Sequence, residues 1–527
     1  MNSTTRGRIT RREILRYGAA GALGAGALAG LALPSAFGQT GRRGGTLRAG
    51  LDTDPFILDP HRSVAVPDRQ VFQNLYDKLV DTDEDLKIVP MLAASWTISA
   101  DGTTYTFKLQ PNVTFHDGTP FDAAAVVYNF DRMRDPKFPS ARRSEIGPIT
   151  SVTAADPSTV VIKLEQPYSP LLYVLTDRAG MMVSPTAAQK AGLDFALHPV
   201  GTGPFSFVEE VRQDHVTLQR NPSYWVRELP YLDRVIFRYL PDDNARVANL
   251  KSGDLEMVAV VPAPQIPQLA VEARQPGSSF RLLEHGAFPW TGFWLNTTKP
   301  PFNNKALRQA FSAAIDRTAI ANVVLQGAAY PAYSFFPNGT PAYDPAWKIP
   351  PRDLSLAREK LRTGGSPTGF ACTLLTYQGQ SNVSVAQAVQ SMIADVGIQS
   401  QIQVLEAGAL IATLTKGEYQ AGFAGWSGRP DPDFDVYPFM TKSGIPNFNF
   451  SGYVNSQVQD LLDAARVLQN MDQRARAYRE VTKILADDMP YAWISFTKEY
   501  KLMSVKVRGF VHVPDGMLRL RTVSLAP

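Results

Sequence analysis

Apolar residues fall on one helical face in the segment VFQNLYDKLV, where Val71, Leu75, Leu79 and Val80 line up. The period then shortens to two. In WTISADGTTYTFKLQ, Trp96 and Ile98, then Tyr105, Phe107 and Leu109, alternate with polar positions about an Asp101-Gly102 turn, which predicts an antiparallel hairpin. SVTAADPSTVVIKLEQP repeats the pattern with a turn at Asp156-Pro157. Between the two lies a turn at Asp117-Gly118, and Asp122 is placed to cap a helix over AAAVVYNFDRM. This stretch is an α+β region. Dense Gly/Pro punctuation at PVGTGPF (Pro199 to Phe205) ends it, and strands around Phe207, Val216, Leu218 and Val235 to Tyr239 begin a new sheet.

From Trp290 onward helices and strands alternate. KALRQAFSAAIDR sets Ala306, Leu307, Ala310, Phe311, Ala314 and Ile315 on one stripe, with Asn303 and Asn304 available as caps. SVAQAVQSMIADVG stops at Gly397 and feeds IQSQIQVL, where Ile398, Ile402 and Val404 face one way. Helix followed by strand, repeated, predicts an α/β domain with a mainly parallel sheet. A late helix around Tyr478 to Asp488 ends before Pro490, and the strand after it should return to an earlier sheet.

A chain of 527 residues has room for two to four domains. Charged residues are 19% of it and form no like-charge block, which argues against a disordered or nucleic-acid-wrapping protein. The single cysteine, Cys372, excludes an internal disulfide framework and Cys-cluster metal sites, and six histidines without helical ligand spacing argue against a protein-built transition-metal site. No cofactor is expected. The net charge of +4 has a local origin. Residues 1–38 contain Arg6, Arg8, Arg11, Arg12 and Arg16 against Glu13, a surplus equal to the whole excess, so the remainder is neutral. That first segment has a basic region, an apolar Gly/Ala-rich run from Tyr17 to Leu33 and a small-residue zone, the three parts of an export signal. Arg11-Arg12 with Ile14 and Leu15 resembles the twin-arginine (Tat) motif. Cleavage is expected after Gly38, releasing a soluble periplasmic protein; a membrane anchor is the alternative, but the run is short of the ~20 residues needed to span.

Four motifs in order, WTISADGTTYTFKLQPNVTFHDGTPFDAAAVVYNFDR, PVGTGPF, LNTTKPPFNNKALRQAFSAAIDR and GWSGRPDPDF, resemble the extracytoplasmic solute-binding proteins of dipeptide, oligopeptide and nickel ABC importers, family 5. The resemblance covers nearly the whole chain after the signal. It implies an α/β, two-lobed periplasmic binding protein with a hinge and three domains, including an α+β insertion. The base domain would comprise 39–80, 200–284 and 490–527, the insertion 81–199, and the second lobe 285–489. It further implies a monomer that encloses a peptide-like or other small polar solute between its lobes and passes it to a membrane permease with its ATPase, without catalysis.

The resemblance also points to residues. In dipeptide binders an aspartate in the segment corresponding to Trp426, Ser427, Gly428, Arg429 and Asp431 holds the ligand amine. Here that segment is one residue shorter, and Arg429 stands where an acid is expected. Either Asp431 makes the amine contact from a shifted position, or the ligand is not a free-amino dipeptide; a guanidinium suits a carboxylate or phosphate. Alternatively, Arg429 pairs with Asp431, Asp433 or Asp435 and fixes the loop. Trp426 would stack on the ligand. The arginine that clamps the ligand carboxylate in dipeptide binders has no counterpart near Tyr377 and Gln378, which are candidates for neutral hydrogen bonding. The loop His61 to Ala65 corresponds to a ligand-facing loop, with Ser63, Val64 and Ala65 as candidates and His61 as a surface or capping residue. Trp290 and Phe293 line the ligand cleft or pack in the core. Two other functions are conceivable on such a scaffold. A periplasmic hydrolase lacks support, since there is no G-x-S-x-G elbow, no H-E-x-x-H and no Cys-His pair. A carrier of a metal chelate or haem-like ligand would have to rely on aromatics and arginine.

Overall fold

The computed structural model describes residues 41–527; the export signal expected in residues 1–38 lies outside them. The described chain divides into two compact units, Phe288–Thr497 and a second made of residues up to Ala287 together with Lys498–Pro527.

The second unit is built on Thr46–Leu51, which pairs in parallel with Arg234–Tyr239 on one side and with Met257–Val258 on the other. Arg234–Tyr239 continues antiparallel to His215–Arg220, and that strand to Phe205–Val211. The strand after Pro490, Tyr491–Ser504, joins this sheet through Met503 and Leu502, as its position after the last helix led us to expect. A separate antiparallel sheet of four strands, in the order Ala93–Ile98, Thr104–Leu109, Thr159–Leu164 and Ile149–Asp156, contains both expected hairpins. Asp122 caps Ala123–Arg134 by accepting the Ala125 N–H at 2.9 Å. The apolar positions Leu47, Val71, Phe72, Leu75, Val216, Leu218, Val235 and Phe237 close into one core.

Two expectations in this unit need correction. The first helix among the described residues is Val66–Leu75, five residues earlier than the apolar pattern suggested, and Leu79 and Val80 are buried beyond its end. Pro67 starts it, and its end is set from far along the chain. The Gly203 N–H donates to the Leu75 carbonyl at 3.0 Å, and a Cβ at Gly201 would stand 2.2 Å from that oxygen, so only glycine permits the approach. His61 is fully buried rather than a surface residue. Arg132 grips Asp59 at 3.1 and 2.7 Å and donates to His61 Nδ1 at 2.9 Å, so the ring proton sits on Nε2 and is given to the Met181 carbonyl at 3.1 Å. Burial, and then the Arg132 charge, push the imidazole down to about 4, which keeps it neutral.

In the unit Phe288–Thr497, Ala371–Tyr377 pairs in parallel with Gln399–Leu405 and with Ala421–Trp426, the connections being the helices Gln380–Ala394 and Ala407–Thr415. Phe280–Leu295 then runs antiparallel to Ala421–Trp426, so the sheet is mixed rather than mainly parallel. Only strands joined by helical crossovers are parallel here, because a crossover must return the chain to its starting end. Val404, expected on the inner face with Ile402, is exposed. Asn304 caps Lys305–Ala313 by accepting the Ala306 N–H at 3.0 Å, and Leu307, Ala310 and Phe311 enter the core as their spacing required. The last helix, Met471–Asp488, starts earlier than expected, at the Asn470 cap.

Candidate functional site

Trp426 ends its strand directly opposite Trp290 on the antiparallel neighbour. The backbones there are in close contact: a Cβ at Gly425 would lie 2.1 Å from the Trp290 carbonyl oxygen. The chain leaves the strand through Gly428 at φ +68° and reaches the helix Asp433–Met440. Trp426 is half-buried, its ring edge-to-face with Phe439 at 5.2 Å and with Phe448 at 6.2 Å. Phe448 is itself exposed, and together with Trp426 it gives this end of the sheet an apolar surface.

The Arg429 guanidinium lies over the Trp426 ring at 4.9 Å, and its Nη1 donates to Ser427 Oγ at 2.9 Å and to the Gly428 carbonyl at 2.7 Å. Three aspartates follow at every second position. Asp431 is fully buried and receives both Nη groups of Arg474, at 2.7 and 2.6 Å. Burial pulls Arg474 down, but the Asp431 charge outweighs it and holds the guanidinium well above its ordinary value. Asp433, also fully buried, receives Arg466 Nε at 2.9 Å and Nη2 at 2.8 Å, and its own N–H donates to Asp431 Oδ1 at 2.8 Å. Asp435 accepts the Arg429 N–H at 3.0 Å; burial pushes its carboxyl well up against the pull of the Arg429 charge.

Asp431 is thus committed to Arg474 and turned inward, so the expected amine contact from this residue is not available in this arrangement. Arg429 is linked to Asp435 by its backbone N–H and by the attraction of its charge for the Asp435 carboxyl. Tyr377 lies at the end of its strand, stacked on Phe423 at 6.4 Å, while Gln378 is exposed and its N–H is bound to the Leu405 carbonyl at 3.0 Å. Trp290 and Phe293 are core residues: Trp290 packs against Trp294, Phe439 and Tyr491, and Phe293 is fully buried. The core alternative is the one realised for both.

In the other unit Ser63 is fully buried. Its hydroxyl donates to Asp68 Oδ2 at 2.7 Å, and its carbonyl takes Arg142 and Arg178, each at 3.1 Å. Its side chain therefore holds the loop. Val64, by contrast, is 77% exposed. Arg474 and Arg466 were not among the residues singled out in the sequence. A signal for Arg474 existed: it precedes the buried Tyr478 by four positions on the apolar face of its helix and donates to the phenol oxygen at 2.9 Å.

Among the described residues no group of His, Cys, Asp and Glu side chains could hold a metal ion, and no helix is long and apolar enough to cross a membrane. The mixed α/β fold is that of solved periplasmic binding proteins. The model of bacterial extracellular solute-binding proteins, family 5, matches residues 87–447, and the chain belongs to this family. The glutathione-binding protein GsiB of Shigella flexneri is 32% identical over 467 residues, covering 87% of this chain and 90% of GsiB. Among solved structures, HbpA2 of Haemophilus parasuis superposes with a TM-score of 0.82 at 28% identity, covering 92% of this chain and all of HbpA2. DppA of Helicobacter pylori, in complex with the peptide STSA, gives 0.79 at 29% identity and covers 92% and 99%. This chain is accordingly the substrate-binding component of an ABC importer, and its relatives are binding proteins rather than enzymes.

Proposed function

We propose that the solute is a small carboxylate-bearing peptide of the glutathione type, with Arg429 receiving a carboxylate and Trp426 supplying the apolar wall. One observation carries this reading: Asp431 is buried against Arg474, and the half-buried Arg429 guanidinium lies on the Trp426 ring at the end of the strand. A guanidinium beside an aromatic face matches a planar carboxylate on an organic body. The similarity to a glutathione-binding protein supports it, since glutathione carries two carboxylates against one ammonium group. Tyr377 and Gln378 would hydrogen-bond neutral groups of the solute, and Val64 would contribute apolar contact from its own unit.

The protein acts as a monomer without turnover, exported by the twin-arginine route and cleaved near Gly38. Its base domain, insertion and second lobe fall at 39–80 with 200–284 and 490–527, at 81–199 and at 285–489. Calorimetric titration with glutathione, its diamide and free-amino dipeptides tests the substrate reading, followed by mass analysis of the solute after incubation. Glutathione binding that is weakened by blocking the carboxylates, with the solute recovered intact, is the expected result. Preference for the diamide or for a carboxyl-amidated dipeptide would overturn it, and a cleaved solute would restore the hydrolase.

A further inference from the structure

Arg429 holds its guanidinium back over its own loop, on Trp426, Ser427 and Gly428, so the place of its charge is set by the loop backbone. One end of that loop is fixed by strand pairing at Trp426. The other is held by two carboxylates that meet arginines from separate helices. Asp431 meets Arg474 of Met471–Asp488, and Asp433 meets Arg466 of Ser456–Val467. The Asp433 N–H bond to Asp431 Oδ1 couples them. Both carboxylates are buried and both contacts use two nitrogens, a geometry that fixes orientation as well as distance and is little screened by salt.

We infer that Arg474 and Arg466 are positioning residues that act through Asp431 and Asp433 to hold Arg429 where it receives the solute carboxylate. The inference rests on the reading of Arg429 given above. It separates two jobs for arginines of one small region: Arg429 meets the solute, while Arg474 and Arg466 never do. Preorganising the receiving group reduces the ordering cost on binding, so loosening the loop should weaken the charged contact specifically.

The test is calorimetry with glutathione and glutathione diamide on the wild type, Arg466→Gln, Arg474→Gln, Arg429→Ala and the double variant Arg429→Ala/Arg474→Gln. Arg466→Gln guards against misfolding of the more buried Arg474→Gln. Each positioning variant should weaken glutathione about tenfold and the diamide less than about threefold, and the extra loss should vanish once Arg429 is alanine. Equal losses for both probes, or a loss that persists in the Arg429→Ala background, would overturn the inference while leaving Arg429 as the carboxylate receiver. An Arg429→Ala variant that binds both probes as the wild type does would remove the receiver itself, and the inference with it. A readout without solute accompanies these. In Arg466→Gln, amide hydrogen exchange over 428–431 should speed up about tenfold relative to the adjoining strand. If it is unchanged, the loop is not held by these pairs and the inference fails, whether or not glutathione is the solute.

Discussion

The Asp431 carboxylate and the Arg474 guanidinium face one another through two hydrogen bonds of 2.7 and 2.6 Å, both groups buried. Arg429 stands where the family pattern expects an acid, and Asp431, the acid two positions on, is an internal group. In the proposed site the ligand would therefore meet Arg429 rather than Asp431.

Removing one partner leaves the other charged and unpaired in the interior. Asp431→Asn should cost about 3–5 kcal/mol of stability, and Arg474→Met a similar amount. The double variant should recover part of the loss. Urea unfolding of the three proteins checks this; simple additivity of the two single losses would show that the groups do not act as a pair.

Trp426 is half-buried and its ring is the face on which Arg429 rests; in the proposed site it would also be the apolar wall. Trp426→Ala should weaken solute binding by about 1–3 kcal/mol, measured by calorimetry, with a smaller effect on global stability. Unaltered affinity would place the solute elsewhere on the protein.

Stability should depend on pH through His61. Its folded-state value is pushed down to about 4 by burial, against 6.5 when exposed. The unfolded chain therefore takes up the proton first on acidification. The contribution is complete above pH 6.5, falls as the pH drops toward 4, and is worth on the order of 3 kcal/mol at the limit. His116 is pushed down to about 4 in the same direction, also by burial. Asp77 works oppositely. Burial raises it to about 6, so the folded state holds its proton more tightly and gains stability as the pH falls through that value. Urea unfolding between pH 7 and 4.5 should show a net decline, and His61→Gln should flatten it. A rise in stability over this range would mean that the carboxyl outweighs the imidazoles.

Gly425 is constrained by contact rather than by conformation. A methyl group there would stand 2.1 Å from the Trp290 carbonyl oxygen. Gly425→Ala should therefore separate the two strands at the base of the site, with about 1–3 kcal/mol lost in thermal or urea unfolding and weaker solute binding. A variant as stable as the wild type would mean that the backbone yields more easily than this packing allows.

Elements governed by neighbours in sequence were legible without the structure. The Asp122 and Asn304 caps, the hairpin turns at Asp101-Gly102 and Asp156-Pro157, and the apolar stripe of Lys305–Ala313 all depend on spacing within about a dozen residues. The family was legible for a similar reason, because its motifs are local strings in a fixed order. Within the site, the oddity of Arg429 was visible, but the fate of the acids beside it was not.

By itself the sequence determined the Asp122 and Asn304 caps and the two hairpin turns, the neutrality of the chain beyond its basic first segment, and the solute-binding family. Tertiary structure alone decided that the helix Val66–Leu75 stops where Gly203 meets it, that His61 is a neutral internal hydrogen-bonding group, and that Asp431 is paired with Arg474. Each of these joins residues tens to more than a hundred positions apart. A carboxylate has the same intrinsic chemistry wherever it stands, and only the burial and the partner that packing provides decide whether it holds a solute or holds the protein.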